Sequence, residues 1–511
     1  MGQPDNLQGA QKLTRVTKIV IVGGGISGLT CAFKLSQSEL FTSGLLHITV
    51  LENRSRWGGI IETKIVDDCI VDSGPDSFIT NKPGMLTLSR ELGIESRIIT
   101  VNQQNRGALV VSKGKLVPLP AGFIMLAPST LTSFFQSSVL SWSGKIRCAL
   151  DLVLPPRKDL ADESLAAFVR RRFGQELLDK LAQPMVAGVY VGDAEKLSAA
   201  HVAARFVAME RTTGSVIRGL WAEREASATE ANCQVDASGA RYSLFAGYDQ
   251  GMAVVVDTLV GALSKKNIDL QLNTSVNAIS QSVDPSAHFT VSSSTSSSTF
   301  PGVWQCDQVV LATAPKVSSA LLADLNAPLS KQLGKISSAS SAVCNFVFQR
   351  KDIAHPLKAF GAVVPEVEMV EHKLSLVAFS FASIKFVRAP EDKVIVRAFL
   401  GGVKGSAVLE NNDEHLIQLA LADLTRLIGL TGKPLYQAVH RWADSMPQCE
   451  VGHDKLIAEI ENNSSTPGLH LIGAYLHGVG LPDCVDSGYK CAENVLKIMA
   501  DRCFENSQVA T

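Results

Sequence analysis

The sequence predicts a mixed α/β chain that combines a dinucleotide-binding unit of Rossmann type with a sheet-based second unit and a helical lobe. Three observations carry that prediction. An aliphatic run, Thr17 to Val22, stops at Gly23-Gly24-Gly25-Ile26-Ser27-Gly28, helical composition follows from Thr30 to Ser36, and a second apolar run, Ile48 to Leu51, ends in Glu52: strand, turn, helix, strand. Strand-like runs recur at 343–348, 360–364, 374–381 and 394–400, and a mainly antiparallel sheet accommodates them. From Ser164 to Met209, Leu, Ala, Phe and Val return at helical spacing, interrupted near Gly188-Val189-Tyr190-Val191-Gly192.

The remaining elements follow the same logic. Glu223 to Ala240, rich in Ala and Ser, reads as a surface loop. A helix is expected after Gly251 through Leu263, then strands at 269–272 and 275–280, a polar hairpin tip or loop from Ser292 to Ser298, and a strand from Gln308 to Thr313. Glu414 to Ile428 is an amphipathic helix, and the chain closes with a strand at 469–472, a Gly-rich turn and a helix from Ser487 to about Met499.

At 511 residues the chain is long enough for about three structural units. Its 48 Lys plus Arg against 49 Asp plus Glu leave a net charge of −1, so no cationic field attracts a phosphate backbone and nucleic acid is excluded as a default partner. The 10 cysteines show no C-x-x-C pair and no zinc-finger spacing with histidines, so neither a disulfide framework nor a metal site is expected. Residues 1–17 lack the apolar core of a secretory signal, and the cytoplasm is the expected compartment.

Mean hydropathy is nevertheless +0.15. One reservoir of that apolarity is Leu116 to Gly144, which holds no charged side chain. Pro118, Pro120 and Pro128 break it too often for a membrane-spanning helix, leaving two readings: the wall of a buried pocket, or a surface that dips into one leaflet. Arg170-Arg171-Arg172 reads as a solvated helix face or as a contact for anionic headgroups.

Gly23-x-Gly25-x-x-Gly28 has physical content in its position. The first glycine permits the tight turn, the second lets backbone approach a pyrophosphate, and the third lets helix and strand pack closely, with phosphates at the helix N-terminus. Glu52 stands where a carboxylate accepts both hydroxyls of an adenosine ribose, and an acid there repels a 2′-phosphate. The next segment, Glu52-x-x-x-Arg56-x-Gly58-Gly59, points to FAD rather than NAD, because it lays a guanidinium and bare backbone against the flavin side of the dinucleotide. Asp72-Ser73-Gly74-Pro75 makes another close turn, and the segment from Gly473 to Gly488 reads as strand, Gly-rich turn and helix N-terminus. In that segment Gly478 and Gly480 bring backbone N–H groups to the isoalloxazine carbonyl end. His453 and His477, near this turn, read as structural.

These segments together resemble the amine oxidase and phytoene desaturase superfamily of FAD enzymes. Gly478-Val479-Gly480-Leu481-Pro482-Asp483-Cys484-Val485 is similar to the protoporphyrinogen oxidases within it. So are Ala187 to Asp193, Ala312-Thr313-Ala314-Pro315, Leu357-x-x-Phe360-Gly361-x-x-Val364-Pro365 and Trp442-x-x-x-Met446-Pro447-Gln448-x-x-x-Gly452-His453. The likeness runs from about Lys18 to Val495, and Asp76 to Pro83 looks like the bacterial branch.

The resemblance implies non-covalent FAD held by Gly23, Gly25, Ile26, Ser27, Gly28, Glu52, Asn53, Arg56, Gly58, Gly59, Gly74, Pro75, Asp76, Val276, Trp442, Gly473, Gly478, Val479, Gly480 and Leu481. It implies a substrate site in which Arg106 pairs with a propionate, Gly188 leaves room for the macrocycle, and Leu357 and Phe386 clamp the ring. The implied reaction is oxidation of protoporphyrinogen IX to protoporphyrin IX by O2 in three two-electron steps, with no side chain acting as acid or base. Coproporphyrinogen III, with four propionates rather than two, is the competing substrate. A monoamine oxidase is disfavoured by the absence of a Ser-Gly-Gly-Cys-like flavin tether and a carotenoid desaturase by the Gly478–Asp483 motif, while a non-catalytic FAD-binding scaffold at a membrane stays open on the sequence. Expected partners are the porphyrinogen, O2, ferrochelatase as user of the product, and the inner face of a bacterial cell membrane, with the chain a monomer or homodimer. The expected division is an FAD unit at 16–92, 241–316 and 431–503, a substrate unit at 93–114 and 317–430, and a helical, membrane-facing lobe at 115–220.

Overall fold

The computed structural model describes residues 15–105, 107–159, 161–230, 244–294, 302–464 and 466–509. Five parallel strands form one sheet in the spatial order Asp269–Gln271, Leu46–Leu51, Thr17–Val22, Gln308–Leu311 and Leu469–Leu471. The two-residue period of a strand divides its side chains between two cores. Ile19, Ile21, Ile48, Val50 and Val310 pack against the helices Ile26–Leu35, Ala253–Lys265 and Leu481–Val509. Val20, Val22, Leu51, Val309 and Leu311 pack on the opposite side, with the three-stranded sheet Val276–Gln281, Phe289–Ser293, Val303–Cys306 and the helices Ala327–Leu333 and His453–Asn463. Burial on both faces explains why these strands read as unbroken aliphatic runs.

A second sheet has seven strands, in the order Tyr436–Pro447, Ser338–Gln349, Lys393–Gly401, Ala378–Phe381, Gly361–Val363, Leu109–Ser112 and Lys115–Pro118. Its neighbours are antiparallel except Gly361–Val363 beside Leu109–Ser112. The helix Asp413–Ile428 closes one face of it through Leu416, Ala420, Leu424 and Ile428, a four-residue spacing that keeps one stripe inward. The third core is helical, with Phe134, Leu165, Phe168, Val169, Phe173 and Leu181 at its centre.

Several expectations are corrected. The segment from Glu223 is not a loop at its start: the helix Val216–Glu230 runs through it, as its Ala and Glu content favours; the part at 231–240 lies outside the described residues, as does 295–298 of the polar run. The last helix begins at Leu481 rather than Ser487, because Pro482 fits a first helical turn and Asp483 accepts the Gly480 N–H at 3.3 Å. Tyr436–Pro447 pairs with Ser338–Gln349, and Lys115–Pro118 with Leu109–Ser112, so the expected divisions at 431 and 115 each cut into the seven-stranded sheet.

The uncharged segment contributes Leu126, Ala127, Phe134, Val139 and Leu140 to the helical core, while Ile124 and Trp142 within it are exposed, and Ile146, Leu150 and Val153 continue the exposed apolar row past its end. Among the described residues no helix is long and apolar enough to cross a membrane. Neither reading of the arginine run holds for all three residues. Arg172 is fully buried against Asp151, while Arg171 reaches Glu163 and Glu210, and Arg170 pairs with Glu195.

Candidate functional site

The site lies at the carboxyl ends of the parallel strands, where loops from distant parts of the chain meet. The three glycines of the first loop have three different reasons. Gly23 has φ +114°, and a Cβ there would sit 2.7 Å from the Ala312 carbonyl oxygen. Gly28 lies under Gly23, where a Cβ would come within 2.1 Å of its carbonyl oxygen. Gly25, the N-cap of Ile26–Leu35, has no atom within 4 Å of an added Cβ, so it opens onto free space at a helix N-terminus. A helix start with bare backbone facing a void is the cradle a pyrophosphate requires.

Glu52 is buried at the end of its strand and accepts the Gly24 N–H at 2.7 Å and the Arg54 N–H at 2.9 Å. Each such charge-assisted bond contributes about 1.5–3 kcal/mol and ties the acidic strand end to the glycine loop. Gly58 donates to the Gly24 carbonyl at 2.8 Å, which sets the second glycine loop against the first. Arg56 donates to the carbonyls of Gly59 at 2.8 Å and Ile61 at 3.0 Å, so it shapes the loop that would face the flavin. Asn53 is exposed beside Glu52, and Val276 follows Thr274, whose N–H bonds the Glu52 carbonyl at 2.8 Å.

Gly74, Pro75 and Asp76 form a second group. A Cβ on Gly74 would lie 1.8 Å from the Ile60 carbonyl oxygen, which joins this turn to the Gly58-Gly59 loop. Trp442 donates its indole N–H to the Ser73 carbonyl at 3.2 Å and packs under the Arg54 guanidinium. Burial alone would raise the Asp76 carboxyl, but Lys385 at 2.8 Å and Arg397 at 3.2 Å overcome it and hold the group well below the usual carboxylate range.

The C-terminal turn completes the ring of loops. Gly473 has φ +136° and donates to Ser487 Oγ at 3.1 Å. Gly478, Val479, Gly480 and Leu481 lead into the last helix, whose Asp483 also pairs with Lys82 at 2.6 Å. Gly488 lets that helix cross Ile26–Leu35 closely, since a Cβ would lie 2.6 Å from the Ser27 carbonyl oxygen.

The candidate substrate residues come from separate elements. Gly188 lies on the helix Gln183–Tyr190 and faces Val363 and Ala378 of the seven-stranded sheet, with ordinary contact distances of 3.7 and 3.9 Å to an added Cβ. Leu357 is buried in the sheet core with φ +57°, a left-handed conformation that costs a bulky side chain about 1–3 kcal/mol and marks a constrained position. Phe386 is buried beneath the Arg388 guanidinium, 4.7 Å from its ring centroid, and against Gly247. Arg106 lies outside the described residues.

Four polar residues beside this site carry no motif. Arg388, buried, pairs with Asp72 and donates to the Tyr248 carbonyl at 3.0 Å; Arg397 donates to the Gly74 carbonyl; Lys385 holds Asp76; Asn345 is fully buried. The signal available in the sequence was a charge inside an apolar strand, as in Val394-Ile395-Val396-Arg397-Ala398-Phe399, since such a charge needs a built partner. Asn345 Oδ1 and Arg397 Nε are buried without a partner among the described residues. Unmet polar groups next to a glycine cradle fit a polar ring system.

Comparison with known proteins agrees with this geometry. Residues 26–496 match the family model for flavin containing amine oxidoreductase. Coproporphyrinogen III oxidase of Bacillus subtilis (strain 168) is 31% identical over 484 residues, covering 94% of this chain and 97% of that protein. The chloroplastic protoporphyrinogen oxidase of Nicotiana tabacum is 28% identical over 492 residues, covering 93% and 85%. A crystal structure of a protein from Exiguobacterium sp. 255-15 aligns with a TM-score of 0.79 at 26% identity, covering 94% of this chain and 98% of that one. With the match running from the helix after the first glycine loop into the last helix, this chain is a flavin-dependent oxidoreductase and belongs to the flavin-containing amine oxidoreductases.

Proposed function

We propose that this chain oxidises a porphyrinogen to the porphyrin, protoporphyrinogen IX to protoporphyrin IX, with FAD bound non-covalently and O2 as electron acceptor. The observation that carries the reading is the near-full-length similarity to relatives named as porphyrinogen oxidases; beside it stands a cavity of about 290 Å3 between the helix Gln183–Tyr190 and the seven-stranded sheet, lined by Ala187 next to Gly188 but not by Leu357 or Phe386. Its lining is mainly apolar, including Pro184, Ala187, Val364, Leu374 and Val377, with Glu366 and Lys404 as its charged members. Lys404 already pairs with Glu366 at 2.9 Å, so the lining suits a flat apolar ring with few carboxylates.

Bound flavin supplies the two-electron acceptor, and three cycles convert the porphyrinogen and three O2 to the porphyrin and three H2O2. The chain's own residues hold and orient. Gly23, Gly25, Ile26, Ser27 and Gly28 receive the pyrophosphate, Glu52 the ribose hydroxyls, and Asn53 and Val276 the adenosine end. Arg56, Gly58, Gly59, Gly74, Pro75, Asp76, Trp442 and the Gly473–Leu481 turn enclose the ring end. Arg106 pairs with a propionate, Gly188 leaves space for the macrocycle, and Leu357 and Phe386 exclude water from it. Trp142, Ile146, Leu150 and Val153 form the proposed contact with a membrane surface, since an exposed apolar row of this kind inserts shallowly into a leaflet.

A second reading, coproporphyrinogen III as substrate, is favoured by the 31% identity to the Bacillus subtilis protein. Assay of the purified protein on both porphyrinogens, with release of the flavin by denaturation, tests the proposal. The expected result is free FAD and a kcat/KM at least roughly tenfold higher for protoporphyrinogen, a difference of about 1.4 kcal/mol. The reverse ratio selects the second reading, and inertness toward both overturns each.

A further inference from the structure

The fold brings His201 to Cys449 and His453, which lie four residues apart in the sequence, and so assembles three metal-ligand side chains where no metal site was expected. One ligand atom each from His201, Cys449 and His453 lies within 4.8 Å of the others. His201 belongs to the short helix Ala199–Val202 of the helical lobe, Cys449 follows the strand Tyr436–Pro447, and His453 opens the helix His453–Asn463. Cys449 and His453 are buried, and His201 is largely so.

We propose that His201, Cys449 and His453 form a binding site for a zinc-class divalent cation that joins the helical lobe to the cofactor side of the molecule. Thiolate and imidazole are the donors that Zn2+ prefers, and three protein ligands with a water in the fourth position form a standard tetrahedral set. With Zn–S about 2.3 Å and Zn–N about 2.0–2.1 Å, ligand atoms around such an ion stand roughly 3.3–3.7 Å apart, so the present spacing needs to close by about 1 Å. A cavity of about 260 Å3 lined by Ser337, Gln448, Glu450, Gly452 and His453 reaches one of the three ligands, His453.

Two further observations favour a ligand set over plain packing. Each histidine has its other ring nitrogen engaged in the way metal-bound imidazoles require: His201 Nδ1 lies 3.0 Å from Asp454 Oδ1, and His453 Nε2 lies 3.3 Å from the Leu476 carbonyl. That leaves His201 Nε2 and His453 Nδ1 to coordinate. The backbone around the cluster is also fixed in advance. Ser198 N–H bonds the Cys449 carbonyl at 2.8 Å, Val451 N–H bonds the Lys196 carbonyl at 2.9 Å, and Asp162 accepts from both Ser198 Oγ and Gly452 N–H. Binding exchanges the Cys449 thiol proton for a sulfur–metal bond, and the proton leaves to solvent. Because His453 also holds the Leu476 carbonyl, an ion here would stiffen the segment from Gly473 to Gly480.

The test uses tag-free, flavin-loaded protein titrated with Co2+ and then Zn2+. The expected result is one equivalent of Co2+ with a thiolate-to-cobalt charge-transfer band and tetrahedral absorption to the red of the flavin, displaced by Zn2+. Cys449→Ser should abolish the charge-transfer band, and Asp454→Asn should weaken Zn2+ binding roughly 10- to 100-fold while keeping the spectrum. If Cys449→Ser fails to fold, His201→Gln, at a partly exposed position, should weaken Zn2+ binding roughly 100-fold with its flavin spectrum unchanged. No Co2+ spectrum in the wild type, or one that Cys449→Ser and His201→Gln leave unchanged, overturns the proposal. The outcome does not depend on which porphyrinogen, if any, is oxidised.

Discussion

Asn345 and Arg397 stand opposite each other in register on neighbouring strands of the seven-stranded sheet, and each keeps one buried polar atom without a partner among the described residues. Asn345 donates weakly to the Asp72 carbonyl at 3.5 Å and Arg397 to that of Gly74, so both address the same turn. If the bound ring system meets the remaining groups, Asn345→Leu should leave the flavin-free protein within about 1 kcal/mol of wild-type stability, because an apolar isostere removes the unmet group. The same variant should lower kcat/KM roughly tenfold, read by steady-state kinetics beside chemical denaturation.

Gly25 and Gly28 separate binding from folding. Gly25→Val fills open space at the helix N-terminus and should abolish flavin absorbance while the melting transition of the flavin-free form persists. Gly28→Ala forces a Cβ against the Gly23 carbonyl and should destabilise the flavin-free protein by about 1–3 kcal/mol, measured by denaturant titration.

Gly188→Leu places a side chain between the helix Gln183–Tyr190 and Val363. The expected effect is a roughly tenfold or larger rise in KM with flavin content unchanged. A loss of flavin instead would put Gly188 in the cofactor site.

Arg172 and Arg170 are two residues apart and should differ widely. Arg172→Met leaves Asp151 buried without its cation and should cost about 3–5 kcal/mol. Arg170→Ala breaks an exposed pair with Glu195 and should change stability by less than about 1 kcal/mol. Paired urea titrations measure both.

His470 provides a pH test. Burial pushes its imidazole down to about 4, and its Nε2 lies 2.8 Å from Gln308 Oε1. The unfolded imidazole titrates near ~6.5. Between those values the unfolded chain binds the extra proton, so this group makes stability fall as pH drops from about 6.5 toward 4 and contributes no further change below that. His470→Gln should flatten that part of the Tm-against-pH curve, followed by differential scanning calorimetry.

What was legible in the sequence was whatever local sterics dictate. Gly23, Gly25 and Gly28 had separate reasons within one turn, and each reason reappears in the fold as a clash or as open space. Leu416, Ala420 and Leu424 announced their buried stripe by spacing alone. Illegible features depend on pairing across the chain. Arg388 and Asp72 are 316 residues apart in the sequence, and nothing near either residue shows the other. Arg172 looked like its two neighbours because a run of like charges does not reveal which member points inward. His201 gave no hint of Cys449, since metal-ligand spacing in sequence is informative only when one turn or hairpin supplies the ligands.

The five-stranded parallel sheet is assembled from strands as far apart as Thr17–Val22 and Leu469–Leu471, with the helix Leu481–Val509 packed on Ile26–Leu35. During synthesis, the first glycine loop therefore emerges long before its edge strand and covering helix exist. Such long-range closure is slow and leaves an unpaired sheet edge exposed in the nascent chain. The cradle is therefore complete only once the strand Leu469–Leu471 and the helix Leu481–Val509 have been made.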